Sequence, residues 1–393
     1  MKDIKTILTE YKKIDLSLRK AAMATVVKVR GSSYRSPGAR MLITDDGRWV
    51  GSISGGCLEG DALRKARMVI SDNKPLTVTY DTREESNQNL GIGLGCNGVI
   101  DVLIEPIDLK DDGNPINLFE KFTTDNDPIA IATIFNASAD VGDKLILNVT
   151  GELLKEFTNH DLTAQVEKDL SEVFETKKSF AKRYISNREE IDIFIELIQP
   201  AITLIIFGGG FDARPVFELA KSLGWDVQVT DECVAHIAPI FFPGANKLTL
   251  CHREFIDRDF AITPYTACVL MSHNYEYDRD VLKKLITTST PYIGILGPKK
   301  RFDKMQDELQ KDGIILTSEV MHRIHAPIGL DIGAEAPDEI AVAIVAEIQS
   351  KFSNRSGGFL KYRSSPIHQR DTLSDQVFKQ VYINPAAKSS AAK

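Results

Sequence analysis

The sequence lacks most of the features that would fix a function on their own. Its 393 residues hold five cysteines, Cys57, Cys96, Cys233, Cys251 and Cys268, and no two of them form a C-x-x-C pair. An odd, scattered set argues against a disulfide framework and a structural zinc site, so free thiols are expected. Positive charge is not in excess: 48 Lys plus Arg stand against 55 Asp plus Glu, a net charge of −7. Nucleic acid or an anionic membrane would meet no broad attractive field, and any anionic ligand must be held by a local basic patch. No apolar run approaches the ~20 residues of a membrane helix. The start, MKDIKTILTEYKK, mixes charge with apolar residues and does not read as a secretory signal, so a cytoplasmic protein is expected. No histidine precedes His160. Acid–base chemistry before that point falls to groups such as Cys57, Glu59, Asp61, Cys96 and Glu105 or to the ligand itself, which weakens a conventional hydrolase reading.

What is present is an ordinary globular composition, 43% hydrophobic and 26% charged, long enough for two or three domains. Ile4, Ile7, Leu8 and Tyr11 fall at helical spacing. Strand-like runs follow at 23–29, 40–44 and 48–53, the last two joined by an Asp46-Gly47 turn. A helix is expected to begin near Cys57, with Leu58, Ala62, Leu63, Ala66, Val69 and Ile70 on one face, and to stop at Asn73 and Pro75. Two more strands are expected at 76–80 and 99–104. Residues 107–127 are rich in Asp and Asn and read as a linker or exposed connection. Strands at 129–135, 144–149 and 191–198 with a helix over 161–176 make a small α+β unit, and no internal repeat is visible. From Ile202 onward short apolar strands alternate with helical patterns, as a parallel sheet with crossover helices demands. A last helix opens at Pro337 and runs to about Ile348. The expected fold is α/β, with an N-terminal α+β domain over 1–106 and a middle α+β segment or linker over 107–199. A Rossmann-like, doubly wound parallel sheet over 200–351 and a poorly ordered tail over 352–393 complete it.

The run Gly208-Gly209-Gly210-Phe211-Asp212-Ala213 follows a strand, precedes a helix and satisfies G-x-G-x-x-A. Gly208 permits the tight turn, and Gly210 lets backbone approach a pyrophosphate on the helix N-terminus. The next strand ends at Asp231, where a carboxylate can accept from ribose hydroxyls. His273 ends a later strand at the carboxyl edge of the sheet, where open α/β folds bind ligands, while His322 and His325 precede the last helix. These residues fit a nucleotide in the crevice; they fit equally a turn that merely packs its helix.

Two loops of the N-terminal part carry chemistry of another kind. Between strands, Gly31 to Gly38 inserts Ser32, Ser33 and Arg35, with Arg40 close behind, a set suited to a phosphate. The run Gly51-Ser52-Ile53-Ser54-Gly55-Gly56-Cys57-Leu58-Glu59 leads into the helix. Gly55 and Gly56 admit close backbone approach, Ser54 is placed to cap, and Cys57 is expected in the first turn, where the dipole favours a thiolate. Cys96, flanked by Gly95 and Asn97-Gly98, sits in a similar run before a strand. A thiolate can attack, accept sulfur or ligate a soft metal, whereas small cysteines packed under tight turns are the plain alternative.

GSSYRSPGARMLI, GSISGGCLEGD and GLGCNGVIDVLIEP resemble the N-terminal motifs of the XdhC/CoxI family, accessory factors of xanthine dehydrogenase and carbon monoxide dehydrogenase. IIFGGGFDARPVFELAKSLGW, YIGILGPKKR and RIHAPIGLDIGAEAPDEIAVAIVAEI resemble its Rossmann domain. The resemblance covers 20–106 and 200–350. It implies a non-catalytic maturation factor that binds the molybdenum cofactor (molybdopterin), protects it while a cysteine desulfurase partner sulfurates the metal, and passes it to a molybdenum hydroxylase client. By motif, Arg35 and Arg40 would contact the anion, and Cys57, Glu59 and Cys96 would line the site, with Cys57 and Cys96 as molybdenum contacts. A homo-oligomer is expected; nucleic acid and membrane are not. The rivals are an NAD(P)-dependent oxidoreductase built on Asp231 and His273, and a molybdopterin nucleotidyltransferase, for which Asp231-Glu232 is the one adjacent acidic pair in position.

Overall fold

The computed structural model describes residues 1–15, 17–82, 98–108, 110–111, 113–125 and 127–364, leaving aside the side chains of residues 124, 125 and 257. The described residues divide after Pro200 into two compact units. The tail expected to be poorly ordered lies, from residue 365 on, outside them. No helix among them is long and apolar enough to cross a membrane.

The first unit opens with α1 (Lys2–Tyr11), whose Ile4, Ile7, Leu8 and Tyr11 are buried as their spacing predicts. It continues through β1 (Ala21–Gly31), β2 (Arg40–Thr44), β3 (Trp49–Gly51), α2 (Glu59–Asp72), β4 (Leu76–Asp81) and β5 (Gly98–Pro106). The strands form an antiparallel sheet in the order β3-β2-β1-β5-β4. Then come α3 (Pro115–Asp125), β6 (Ile129–Asn136), β7 (Lys144–Asn148), β8 (Leu153–Lys155), α4 (His160–Thr176), β9 (Phe180–Ser186) and β10 (Glu189–Ile198). This second sheet runs β8-β7-β6-β10-β9. α2 covers one face of the first sheet with Ala62, Ala66, Val69 and Ile70. α4 covers one face of the second with Leu162, Val166, Leu170 and Val173. The two remaining faces meet through Val27, Leu103, Phe135 and Phe194, and α1 and α3 extend that shared core.

Two expectations need correction here. The stretch 107–127 is not a plain connection: it contains α3, which buries Ile116, Leu118, Phe119 and Phe122. Asn114 caps it by accepting from the backbone N–H of Ile116 at 2.9 Å and Asn117 at 3.1 Å, with Pro115 at the first helical position. The Asp and Asn residues at either end mask its apolar period. The absence of an internal repeat is also overturned, because the first unit is a duplication. Each half reads α-β-β-β-α-β-β with the same strand order.

The correspondence reaches single residues. Thr25 pairs with Arg40 in the first half and Thr133 with Lys144 in the second. The ladder skips Val27 on β1 and Phe135 on β6, the same bulge. Gly38 (φ +91°) and Gly142 (φ +93°) each turn the chain two residues before the cation. Arg40 Nη1 donates to the Gly38 carbonyl, and Lys144 Nζ to that of Gly142, both at 2.8 Å. The two cations then cross reciprocally: Arg40 pairs with Glu196 on β10 and Lys144 with Glu105 on β5, and all four side chains are buried.

The second unit holds β11 (Thr203–Phe207), α5 (Ala213–Ser222), β12 (Asp226–Asp231), β13 (Lys247–Leu250), α6 (Ile256–Asp259), β14 (Thr266–Leu270) and α7 (Tyr275–Leu285). β15 (Tyr292–Ile295), α8 (Lys299–Lys311), α9 (Ser318–Met321), β16 (Ile324–His325) and α10 (Pro337–Phe352) complete it. Its strands are parallel in the order β13-β12-β11-β14-β15-β16, so the order reverses between β11 and β14. α5 and α10 pack on one face through Val216, Phe217, Ala341 and Ile344, and α7 and α8 on the other through Val281, Leu285, Phe302 and Met305. Both faces being covered, the strands read as unbroken apolar runs.

Candidate functional site

The loop between β3 and α2 is wound around one carboxylate. Glu59 Oε1 accepts from the backbone N–H of Ile53 at 3.1 Å, Ser54 at 3.0 Å and Gly55 at 3.2 Å, and from the Ser52 hydroxyl at 2.7 Å. Its Oε2 accepts from Gly56 N–H at 2.9 Å, Leu58 N–H at 3.1 Å and the Ser54 hydroxyl. Glu59 is only 5% exposed. Burial by itself would raise its carboxyl, but the hydroxyls of Ser54 and Ser52 and the backbone donors outweigh that and bring it from 4.5 down to about 2. An anion in a nest of backbone N–H groups is the general form of this arrangement. Glu59 therefore organises the loop from within, with seven donors on its two oxygens.

The helix starts at Glu59, near Cys57 as expected, but with Leu58 at the N-cap Cys57 lies in the loop just before the first turn and not within it. Ser54 does not cap from the N-cap position, which Leu58 occupies; its hydroxyl accepts from Leu58 N–H at 2.9 Å inside the nest. Cys57 is half-buried and packs on the aliphatic cluster beneath α2, while Gly55 and Gly56 are exposed beside it, both at positive φ.

The second predicted loop, between β1 and β2, reaches this one through Tyr34, a residue that no sequence pattern singles out. A methyl group at Gly55 would stand 2.8 Å from Cδ1 and 3.0 Å from Cε1 of Tyr34, so the ring lies directly against the glycine. Ser32 is exposed and Ser33 buried. Arg35 turns toward α1 and pairs with Asp3. Asp3, Tyr34, Arg35 and Ser36 line a surface cavity of about 270 Å³. Arg40 is elsewhere: it points into the shared core, held by Glu196 and the Gly38 carbonyl, while its neighbours Met41 and Ile43 face α2. It contributes to the fold and is closed to an anionic ligand. Cys96 lies outside the described residues.

In the second unit the glycine turn sits at the carboxyl ends of β11 and β14, at the reversal of strand order. A methyl group at Gly208 (φ +117°) would come within 2.4 Å of the Ser272 backbone, so only glycine fits. At Gly210 the nearest atom, His273 Cδ2, would be 3.7 Å away, leaving that position open. Asp231 accepts from Gly209 N–H and Cys233 N–H, each at 2.8 Å, and lies 3.0 Å from His236 Nδ1. A ribose diol at Asp231 would have to share the carboxylate with these partners. His273, at φ +60°, places Nε2 3.2 Å from Asp212 Oδ2. His236 and Asp212 had no pattern signal, because their partners are set by loop folding. No group of three or more metal-ligating side chains occurs among the described residues.

Comparison with known proteins decides the family. Residues 17–81 match the XdhC and CoxI family and residues 204–348 the XdhC Rossmann domain. A Bacillus subtilis (strain 168) protein named as a probable xanthine dehydrogenase subunit is 30% identical over 328 residues, 84% of this chain and 92% of that protein. The chain belongs to the XdhC/CoxI family. The molybdenum cofactor insertion chaperone PaoD of Escherichia coli (strain K12) is 23% identical over 348 residues, 88% of each chain. A crystal structure described as a xanthine dehydrogenase from Bacillus halodurans is similar with a TM-score of 0.73 and 31% identity, over 93% of this chain and 98% of that one. Within this XdhC-type chain the four described thiols differ in kind. Burial pushes Cys268 up to about 12, and burial with the neighbouring Asp259 does the same for Cys251. Those two are packing residues, Cys233 is exposed, and Cys57 is half-buried on a glycine-rich loop.

Proposed function

We propose that this XdhC/CoxI chain is a maturation factor that binds the molybdenum cofactor, shields it, and hands it to a xanthine dehydrogenase-type hydroxylase. The observation that carries the reading is the junction in the first unit. A half-buried thiol rides on a loop preorganised by Glu59, and the hydroxyl- and arginine-bearing loop is packed onto it through Tyr34 and Gly55. The residues suit the cargo's chemistry. The Cys57 sulfur is a ligand for a soft metal or an acceptor for sulfane sulfur handed on from a desulfurase persulfide, and Arg35 with Ser32 and Ser36 suits a phosphate. Arg35 is held by Asp3, so on binding an incoming anion it exchanges the Asp3 carboxylate for that anion and is not met as a bare charge. The homology to a named molybdenum cofactor insertion chaperone supports the same reading. A cysteine desulfurase partner, a cytoplasmic setting and a homo-oligomeric state belong to this proposal. An oxidoreductase reading is less well supported, because the acid that would hold a ribose, Asp231, is engaged by two backbone donors and a histidine.

The test is to mix purified protein with mature cofactor and follow molybdenum through gel filtration and its protection from air. Retention that falls at least tenfold in Cys57→Ala, with the circular dichroism spectrum unchanged, is the expected result. A wild-type protein that neither retains nor protects the cofactor rejects the proposal.

A further inference from the structure

The duplication supplies an internal control that separates what the first unit needs in order to fold from what only one half possesses. Both halves keep the bulge, the positive-φ glycine, the cation two residues on and its glutamate across the core. Those features are therefore structural. The halves part company at two loops. Residues 156–159 connect β8 to α4 with an ordinary cap, Asn159 accepting from Leu162 N–H at 3.2 Å. The equivalent connection, 52–58, is longer, gives up the side-chain cap, and is wound on Glu59 instead. The loop 137–143 holds no aromatic residue, whereas its counterpart presents Tyr34.

Tyr34 is 69% exposed, so one face of its ring is open to a ligand. One side is fixed by Gly55, whose N–H is itself tied to Ser52 Oγ at 2.9 Å and Glu59 Oε1 at 3.2 Å. The ring also borders the 270 Å³ cavity that contains Arg35, close to the ~300 Å³ at which small-molecule pockets begin. A rigidly backed aromatic ring beside a guanidinium, at a place where the other half has neither, fits a ligand that is flat at one end and anionic at the other. We propose that Tyr34 is a stacking platform for a flat conjugated heterocycle, such as the aminopyrimidinone ring of a pterin, whose anionic arm reaches Arg35. This rests on the proposed cofactor role and names the part of the cargo that is read.

The experiment titrates the full-length protein with pterin-6-carboxylate, a flat, fluorescent, anionic pterin, and in parallel measures molybdenum retention by the same variants. Saturable quenching is expected for wild type, within twofold of it for Tyr34→Phe, and at least tenfold weaker for Tyr34→Ala, since a phenyl ring restores stacking and a methyl does not. Equal affinity in Tyr34→Ala, or no saturable quenching in wild type, overturns the platform. A wild type that retains molybdenum, with Tyr34→Ala retaining it equally well, rejects the platform alone. Tyr34-dependent pterin binding by a protein that retains no molybdenum upholds the platform and rejects the maturation role.

Discussion

Replacing Glu59 by Gln should loosen one loop and leave the rest of the first unit intact. In the wild type, four donors converge on Oε1 and three on Oε2. A glutamine can satisfy one set but must turn an NH2 group toward the other, leaving donors opposed. The shift of the carboxyl from 4.5 to about 2 sets the scale. At 1.36 kcal/mol per unit, the nest favours the ionised over the protonated form by about 3 kcal/mol, which is more than a hundredfold. A depressed carboxyl stabilises the folded loop above pH 4.5 and loses that contribution as pH falls from 4.5 toward 2. Hydrogen–deuterium exchange of a peptide covering residues 52–58 reads this directly, because the amides of Ile53, Ser54, Gly55, Gly56 and Leu58 exchange only when the nest opens. At pH 7, Glu59→Gln should exchange there about a hundredfold faster than wild type, with peptides from β6 to β10 unchanged. Rates within twofold of wild type would refute the argument that this carboxylate holds the loop.

Further outcomes follow from the same geometry. Glu196→Ala leaves Arg40 buried without its carboxylate and should cost about 3–5 kcal/mol in urea denaturation, whereas Arg40→Met combined with Glu196→Leu should recover most of that loss. Gly208→Ala should lower thermal stability, since its methyl meets the Ser272 backbone at a positive φ, while Gly210→Ala should leave the melting temperature within a degree or two. Asp3→Asn should release Arg35, tighten binding of pterin-6-carboxylate and steepen its dependence on salt; unchanged affinity would mean that Arg35 does not meet the anion.

What the sequence revealed and what it hid divide along the range of the interactions. The Rossmann unit was legible because each βα step writes its own signal: apolar strand, glycine turn, helix, then an acid at the end of the next strand. The apolar strand runs of the first sheet were legible for the same reason. α3 was hidden because four apolar positions lie between polar ends, and its burial depends on α1 and β6, which are remote in sequence. The duplication escaped because the halves share topology through a few positions, such as Gly38 and Gly142 or Glu105 and Glu196, and Arg and Lys can serve the same buried pairing. Arg40 and Glu59 stand out in the sequence, but their partners inside the fold do not, since local spacing cannot tell a charge that meets a ligand from one satisfied inside. Tyr34 lies inside the GSSYRSPGARMLI motif with nothing to separate it from its neighbours; its placement appears only when Gly55, 21 positions away, comes to rest against its ring.

The central claim is that the cargo is held in the first unit at the Cys57 loop, and the most direct measurement is the molybdenum and pterin content of full-length protein after loading and desalting. Near-equimolar content in wild type and in Asp231→Asn, with at least a tenfold loss in Cys57→Ala, is what the account predicts. Full content in Cys57→Ala, or a loss that follows Asp231→Asn instead, would contradict it.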